Sequence, residues 1–223
     1  ADFIQKYRMA NILHPLFALI CFNTPKYAGK PNTDILLRDS IWQHTDPQRC
    51  HIIDDLFAPT FGYESYERYV LDNPLILMHE KDQFIPTGEQ TCREVAETYG
   101  FGKPEIEHYL SMVFPDIRLK KCIEIRSADS MPLPQLLAYA SFIKGLFYDE
   151  KIIHTVNEWT HSIDAIQVAK QSIQKDGWQA QVYGHNVQSL VEELMAASKS
   201  NLSIKEQGYL KALGSQNGNR PTV

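Results

Sequence analysis

Apolar residues at three- and four-residue spacing open the chain. Phe3, Ile4, Tyr7, Ile12, Leu13, Leu16, Phe17 and Ile20 predict a helix that Pro15 should kink. Asn23-Thr24-Pro25 ends it, and two prolines and a glycine mark a loop over 23–32. Aromatics over 52–73 predict a core-facing helix from Phe61, stopped by Asn73-Pro74, then a short buried strand, Leu75-Ile76-Leu77-Met78. A turn over 83–88 leads to helices over 90–99 and 105–113. A helix over 135–148 has almost no polar face and should be well buried. Further helices are expected over 152–162, 165–175, 187–198 and 204–213. Glu206, three residues after Ser203, suits a capping box for the last of them, and 214–223 reads as a flexible tail.

Between the helix over 105–113 and the apolar helix lies the stretch around which the chain is organised. Residues 118–126 alternate as one strand. One face holds Leu119, Lys121, Ile123 and Ile125; the other holds Arg118, Lys120, Cys122, Glu124 and Arg126. Four charges on one strand face need water or a ligand. A solvated edge strand is one reading. The other is a polyphosphate site, in which a carboxylate two residues from an arginine holds Mg²⁺ while the guanidinium meets phosphate oxygens.

Composition narrows the class. With 43% hydrophobic and 22% charged residues, 223 residues suit one large globular domain that buries about 70% of its unfolded surface. A net charge of −5 argues against nucleic-acid binding. The most apolar run, over 12–22, contains His14 and Pro15 and falls short of a membrane span. Four scattered cysteines without a CxxC favour a reduced, cytoplasmic protein. The histidines form no zinc pattern: His14 reads as an ordinary helix residue, Glu158 and His161 as a surface pair, and a metal role for His108 is the weaker of its two readings.

Ile123-Glu124-Ile125-Arg126-Ser127-Ala128-Asp129-Ser130 resembles the Ile-Glu-x-Arg-Ser-x-Asp strand of glutamine synthetase. The run from Phe114-Pro115-Asp116 to Asp129 is similar to glutamate–cysteine ligases of the plant and bacterial type, members of the same ATP-dependent carboxylate–amine ligase superfamily. Those ligases also show an Asn-Ser-Pro loop, a glycine, an Arg-x-x-x-Trp and a Thr-Asp-x-x-Arg in that order. Here Asn23-Thr24-Pro25, Gly29, Arg38 with Trp42, and Thr45-Asp46 with Arg49 stand in that sequence. Arginine's planar fork suits the α-carboxylate of an amino acid; the alternative for Arg38 is a surface residue paired with Asp39 or Asp46.

The resemblance implies an α+β, partial glutamine-synthetase-like catalytic fold: a mainly antiparallel curved sheet with helices on one side, over a single domain, 1–213. It implies ligation of the glutamate γ-carboxylate to the amine of cysteine through an acyl phosphate, the first step of glutathione synthesis, with ATP as substrate and Mg²⁺ as cofactor. By the same resemblance Glu124 is a Mg²⁺ ligand, Arg126 the cation that stabilises the transferring phosphoryl group, Arg38 a glutamate- or phosphate-binding arginine, Arg49 a weaker binding candidate, and Asp129 orients Arg126 or the loop that follows. The match corresponds to the C-terminal half of a family member, and the chain opens on Ala1 without an initiator Met. An N-terminal half is therefore expected to be missing, these residues alone to be inactive, and their exposed apolar surface to favour a homodimer. Two alternatives stay open, a non-catalytic or regulatory domain and a related ligase for another amine. Ser127 and Met131 stand where the family usually has glycine, and Leu137 replaces a cysteine of plant members.

Overall fold

The structure, a computed structural model, describes residues 2–80 and 83–214. In chain order its elements are α1 (Asp2–Ile20), β1 (Lys26–Tyr27), β2 (Lys30–Pro31), α2 (Leu37–Thr45), α3 (Pro47–Cys50), α4 (Tyr63–Asp72), β3 (Leu77–Glu80) and β4 (Gln83–Pro86). There follow α5 (Cys92–Tyr99), α6 (Lys103–Tyr109), β5 (Ile117–Leu119), β6 (Ile123–Ile125), α7 (Leu133–Phe147) and α8 (Glu150–Asn157). The last are α9 (Ile163–Asp176), β7 (Gln181–Val182), β8 (His185–Asn186), α10 (Val187–Ser200) and α11 (Ile204–Gly214). Apart from Gly214, the tail expected over 214–223 lies outside the described residues. Contacts divide the chain into two compact units: the described parts of Ala1–Ser40 with Ser127–Val223, and Ile41–Arg126.

In the first unit α1 is apolar on every side from Met9 onwards, apart from Asn11 and His14, and from Tyr7 to Ile20 nearly all of it is buried. A helix without a polar face must be covered all round. Helices α8 and α9 supply part of that cover, and α7 sets Tyr139 and Phe142 edge-on to Phe17 at 5.8 and 6.0 Å. Helix α7 packs in turn on α10 and α11. Its Gly145 faces Ser198, whose Oγ donates to the Phe142 carbonyl at 3.1 Å, so the two backbones meet where a side chain is missing. The capping box forms: Ser203 N–H and Oγ reach Glu206 Oε2 at 3.0 and 2.7 Å, and Lys144 Nζ lies 2.5 Å from Oε1.

Strands β7 and β8 pair through the two-residue turn Tyr183-Gly184, with φ of 52° and 83°. Such turns need positive φ twice, which suits glycine and asparagine rather than tyrosine. Tyr183 is held there by its ring stacked on Trp159 and its hydroxyl, which donates to the Ile12 carbonyl of α1 at 2.9 Å. Periodicity over 152–213 predicts only helices and misses this hairpin.

The second unit is built on α4, whose Tyr66, Tyr69 and Val70 are buried, packed on α5. Here the curved sheet expected from the resemblance is not formed. Among the described residues the strands make four separate two-stranded antiparallel hairpins, each strand paired only with its neighbour in sequence. The fold is α+β, but strands of two to four residues are too short to build a wider surface. The predicted single strand over 118–126 is likewise a hairpin, β5 and β6, reversed at Lys120–Cys122 where Lys120 N–H meets the Cys122 carbonyl at 3.0 Å.

Two consequences can be measured. A methyl group at Gly145 runs into the Ser198 hydroxyl and backbone, so Gly145→Ala should cost about 1–3 kcal/mol in urea unfolding. Lys144 and the bonds from Ser203 hold the Glu206 carboxyl down at about 2, against 4.5 in an unfolded chain. The folded value is the lower one, so the contribution is complete above pH 4.5 and fades as pH falls towards 2. Glu206→Gln should remove that part of the acid-induced loss of helix seen by circular dichroism.

Candidate functional site

In the β5–β6 hairpin Ile117 faces Ile125, Arg118 faces Glu124 and Leu119 faces Ile123. Directly opposed residues share a face, so the two apolar pairs turn one way and the charged pair the other. Arg118 Nε donates to Glu124 Oε2 at 2.7 Å, and Arg118 Nη1 reaches towards the Ser111 and Val113 carbonyls at 3.5 and 3.4 Å. Glu124 is therefore charge-balanced by its cross-strand neighbour, with its side chain still 30% exposed. Leu119 N–H donates to Tyr66 Oη at 2.9 Å, which ties the hairpin to α4; burial pushes the Tyr66 hydroxyl up to about 12.

Arg126 continues the ladder one residue past β6, its N–H on the Asp116 carbonyl at 2.9 Å. Its Nη1 donates to the Pro115 carbonyl at 3.2 Å, and the guanidinium lies 5.7 Å from the Trp42 ring centre. Trp42 is stacked on Phe114 at 5.3 Å. In the sequence Trp42 is only the last letter of a motif; in the structure it is the platform on which Arg126 rests. Glu124 and Arg126, two residues apart, are thus both half-buried and held by named partners.

The other expected site residues are placed differently. The fork of Arg49 is spent inside the second unit: Nη1 on Asp46 at 2.6 Å, Nε and Nη2 on the Pro74 carbonyl at 3.0 and 2.7 Å. In the first unit Arg38 is half-buried on the first turn of α2. The two carboxylates that offered it a surface pairing are engaged elsewhere, Asp39 by Lys170 and Asp46 by Arg49. Asp129 Oδ2 accepts from Asn23 N–H and Thr24 Oγ1, both at 2.8 Å, and Asn23 Nδ2 donates to the Ser130 carbonyl. It stitches the loop after Arg126 to the Asn23-Thr24-Pro25 loop.

His14 is no ordinary helix residue. It is buried in α1, with Nδ1 at 2.7 Å from Ser127 Oγ and Nε2 at 3.7 Å from Asp39 Oδ1. The signal in the sequence was a histidine inside an otherwise apolar helix, because a buried polar group needs partners. His108 Nε2 meets the Leu77 carbonyl at 2.8 Å, and Glu158 lies at 4.0 Å from His161 and 3.7 Å from His154, an exposed cluster. Within neither unit taken by itself do three His, Cys, Asp or Glu donors converge among the described residues. The four cysteines are free thiols, and no described helix is long and apolar enough to cross a membrane.

Comparison with known sequences gives this arrangement its class. The profile of Glutamate-cysteine ligase family 2 (GCS2) matches residues 1–216, and the chain belongs to that family. Glutamate–cysteine ligase B, chloroplastic, of Oryza sativa subsp. japonica is 30% identical over 228 residues, 94% of this chain and 45% of that protein. The chloroplastic glutamate–cysteine ligases of Medicago truncatula and Arabidopsis thaliana are each 28% identical, over 96% of this chain and 44% and 43% of those proteins. The chain thus spans a little under half the length of these relatives. Their chloroplastic names give no support to the cytoplasmic compartment read from the cysteines.

The Trp42–Arg126 contact can be weighed by a double-mutant cycle. Trp42→Leu and Arg126→Gln should be coupled by about 0.5–1 kcal/mol in urea unfolding, the scale of a partly exposed cation–π pair. Additive effects would mean that the two side chains do not meet in solution.

Proposed function

We propose that the protein containing this chain is an ATP-dependent glutamate–cysteine ligase, catalysing the first step of glutathione synthesis, and that the chain supplies one wall of its site. The observation that supports this most directly is the pairing of Glu124 and Arg126 on one strand end, each backed by a specific partner, in a member of the ligase family. In the reaction the γ-carboxylate of glutamate takes the terminal phosphoryl group of ATP and ADP leaves. The cysteine amine then attacks the acyl carbon of the acyl phosphate, phosphate departs and the amine gives up a proton.

The chain's residues suit the first step. Arg126 brings a fixed positive charge to the equatorial oxygens of the phosphoryl group, where charge accumulates. Its seat on Trp42 keeps the guanidinium in place before substrate arrives. Arg38 suits the glutamate carboxylate, while Arg49 braces the segment that leads to Pro74. Asp129 fixes the loop that follows Arg126. Glu124 fits a magnesium site in kind: Mg²⁺ commonly takes one or two carboxylates and completes its shell with phosphate and water. Its Oε2 is engaged by Arg118, which leaves Oε1 for the cation. Bound there, the metal would neutralise phosphate charge.

One carboxylate does not complete a site for several cations, so we expect the 223 residues alone to be inactive and to need the remainder of the protein. Helix α7 suits a face that meets such a partner: Leu133, Leu136 and Leu137 are 65, 50 and 39% exposed on one stripe. Apart from the ligase reading, the serine and methionine at 127 and 131 favour testing amines besides cysteine.

The experiment is ADP release by the full-length protein with Mg-ATP, glutamate and a panel of amines. Turnover dependent on both glutamate and cysteine is expected. Glu124→Gln and Arg126→Ala should each lower it by about 10²-fold or more; unchanged turnover would remove these residues from the site.

A further inference from the structure

A buried polar chain crosses the first unit and takes no part in the chemistry above. Ser127 Oγ shares a hydrogen bond with His14 Nδ1 at 2.7 Å, His14 Nε2 lies 3.7 Å from Asp39 Oδ1, and Lys170 Nζ donates to the same oxygen at 2.9 Å. The four side chains come from the loop after β6, from α1, from the first turn of α2 and from α9. The order serine, histidine, aspartate is that of a nucleophile relay. A nucleophile must meet its substrate, however, and Ser127 and His14 are each only 3% exposed. Attack is not what this chain is built for.

Its geometry fits a different task. A buried lysine–carboxylate pair recovers little net energy once desolvation is counted, but breaking one partner from it is costly, so its value lies in fixing where two segments meet. Burial alone would push the Asp39 carboxyl up; His14 and Lys170 outweigh it and hold it well below the usual carboxylate range, so it remains charged. Helix α9 grips α2 at a second point: Gln174, one turn beyond Lys170 on the same face, accepts from Leu36 N–H at 3.0 Å. Two contacts from one helix hold Leu36 and Asp39, at the start of α2. Arg38 lies between them in the same unit. At the other end of the chain, His14 holds Ser127, and Asp129 is held by Asn23 and Thr24.

We propose that His14, Asp39, Lys170 and Gln174 are positioning residues of the ligase, aiming Arg38 at the glutamate carboxylate and anchoring the 127–130 loop to the helical frame. The proposal rests on the reading of Arg38 given above. It places the specificity for the acidic amino acid partly in residues that never touch it.

The test uses the full-length protein and a charge-balanced double variant, Asp39→Asn with Lys170→Met, which leaves no orphaned charge. Two readouts are taken. Hydrogen exchange without substrates should speed up about tenfold or more at the first turn of α2. The KM for glutamate should rise about tenfold or more, the scale of a misaimed binding group, while kcat and the KM for ATP stay within about twofold. Lys170→Arg, which keeps the pair, should restore both. Wild-type exchange together with a wild-type KM would overturn the proposal. Should the double variant fail to fold, Gln174→Ala removes only the Leu36 contact and must move exchange and KM in the same direction, or the proposal falls. A wild-type protein without glutamate-dependent turnover would refute the ligase reading instead, and the exchange data would still decide whether the clamp exists.

Discussion

A helix that has to be covered on every side is the constraint from which the first unit follows. From Met9 to Ile20 helix α1 offers almost no face to water, so other segments are drawn onto its perimeter, and each polar group in that stretch must be satisfied from within or by whatever covers it. Asn11 solves this locally, donating to the Tyr7 carbonyl one turn back at 2.9 Å. His14 has Ser127 and Asp39 beside it, partners from distant parts of the sequence. Through that one side chain the demands of core packing reach the segments next to Arg38 and Arg126.

The second unit works by local compensation instead. The β5–β6 hairpin is three residues a side and has no further strand beside it among the described residues. It is held by the opposition of Arg118 to Glu124, by Tyr66 on the backbone and by two apolar pairs. The guanidinium of Arg118 that stabilises the hairpin also balances the charge of Glu124. If Glu124 holds a cation as proposed, its structural and chemical roles are one balance.

How much of this the sequence discloses depends on length and period. Helices α1, α7, α9, α10 and α11 run eleven residues or more and repeat an apolar spacing, so they read plainly. Helix α2 buries no residue fully and shows no stripe, and it passes unnoticed. The hairpins fail for another reason: the turns at Ala28-Gly29 and Tyr183-Gly184 use positive φ at Ala28 and Tyr183, residues that do not advertise it. Of the residues proposed for the site, Glu124 and Arg126 stand out through a run that resembles one in known ligases. Lys170 looks like a surface lysine on an amphipathic helix, and nothing nearby in sequence predicts that Asp39, 131 residues away, will be its partner.

The turn at Tyr183 has a consequence for how the molecule assembles. A two-residue hairpin ordinarily forms early from its own sequence, but a tyrosine in the left-handed region costs roughly 1–2 kcal/mol. What offsets that cost includes the Ile12 carbonyl, 171 residues earlier. In synthesis α1 therefore emerges long before the hairpin that helps to cover it. The helix that is buried along most of its length waits 171 residues for one of the partners that bury it.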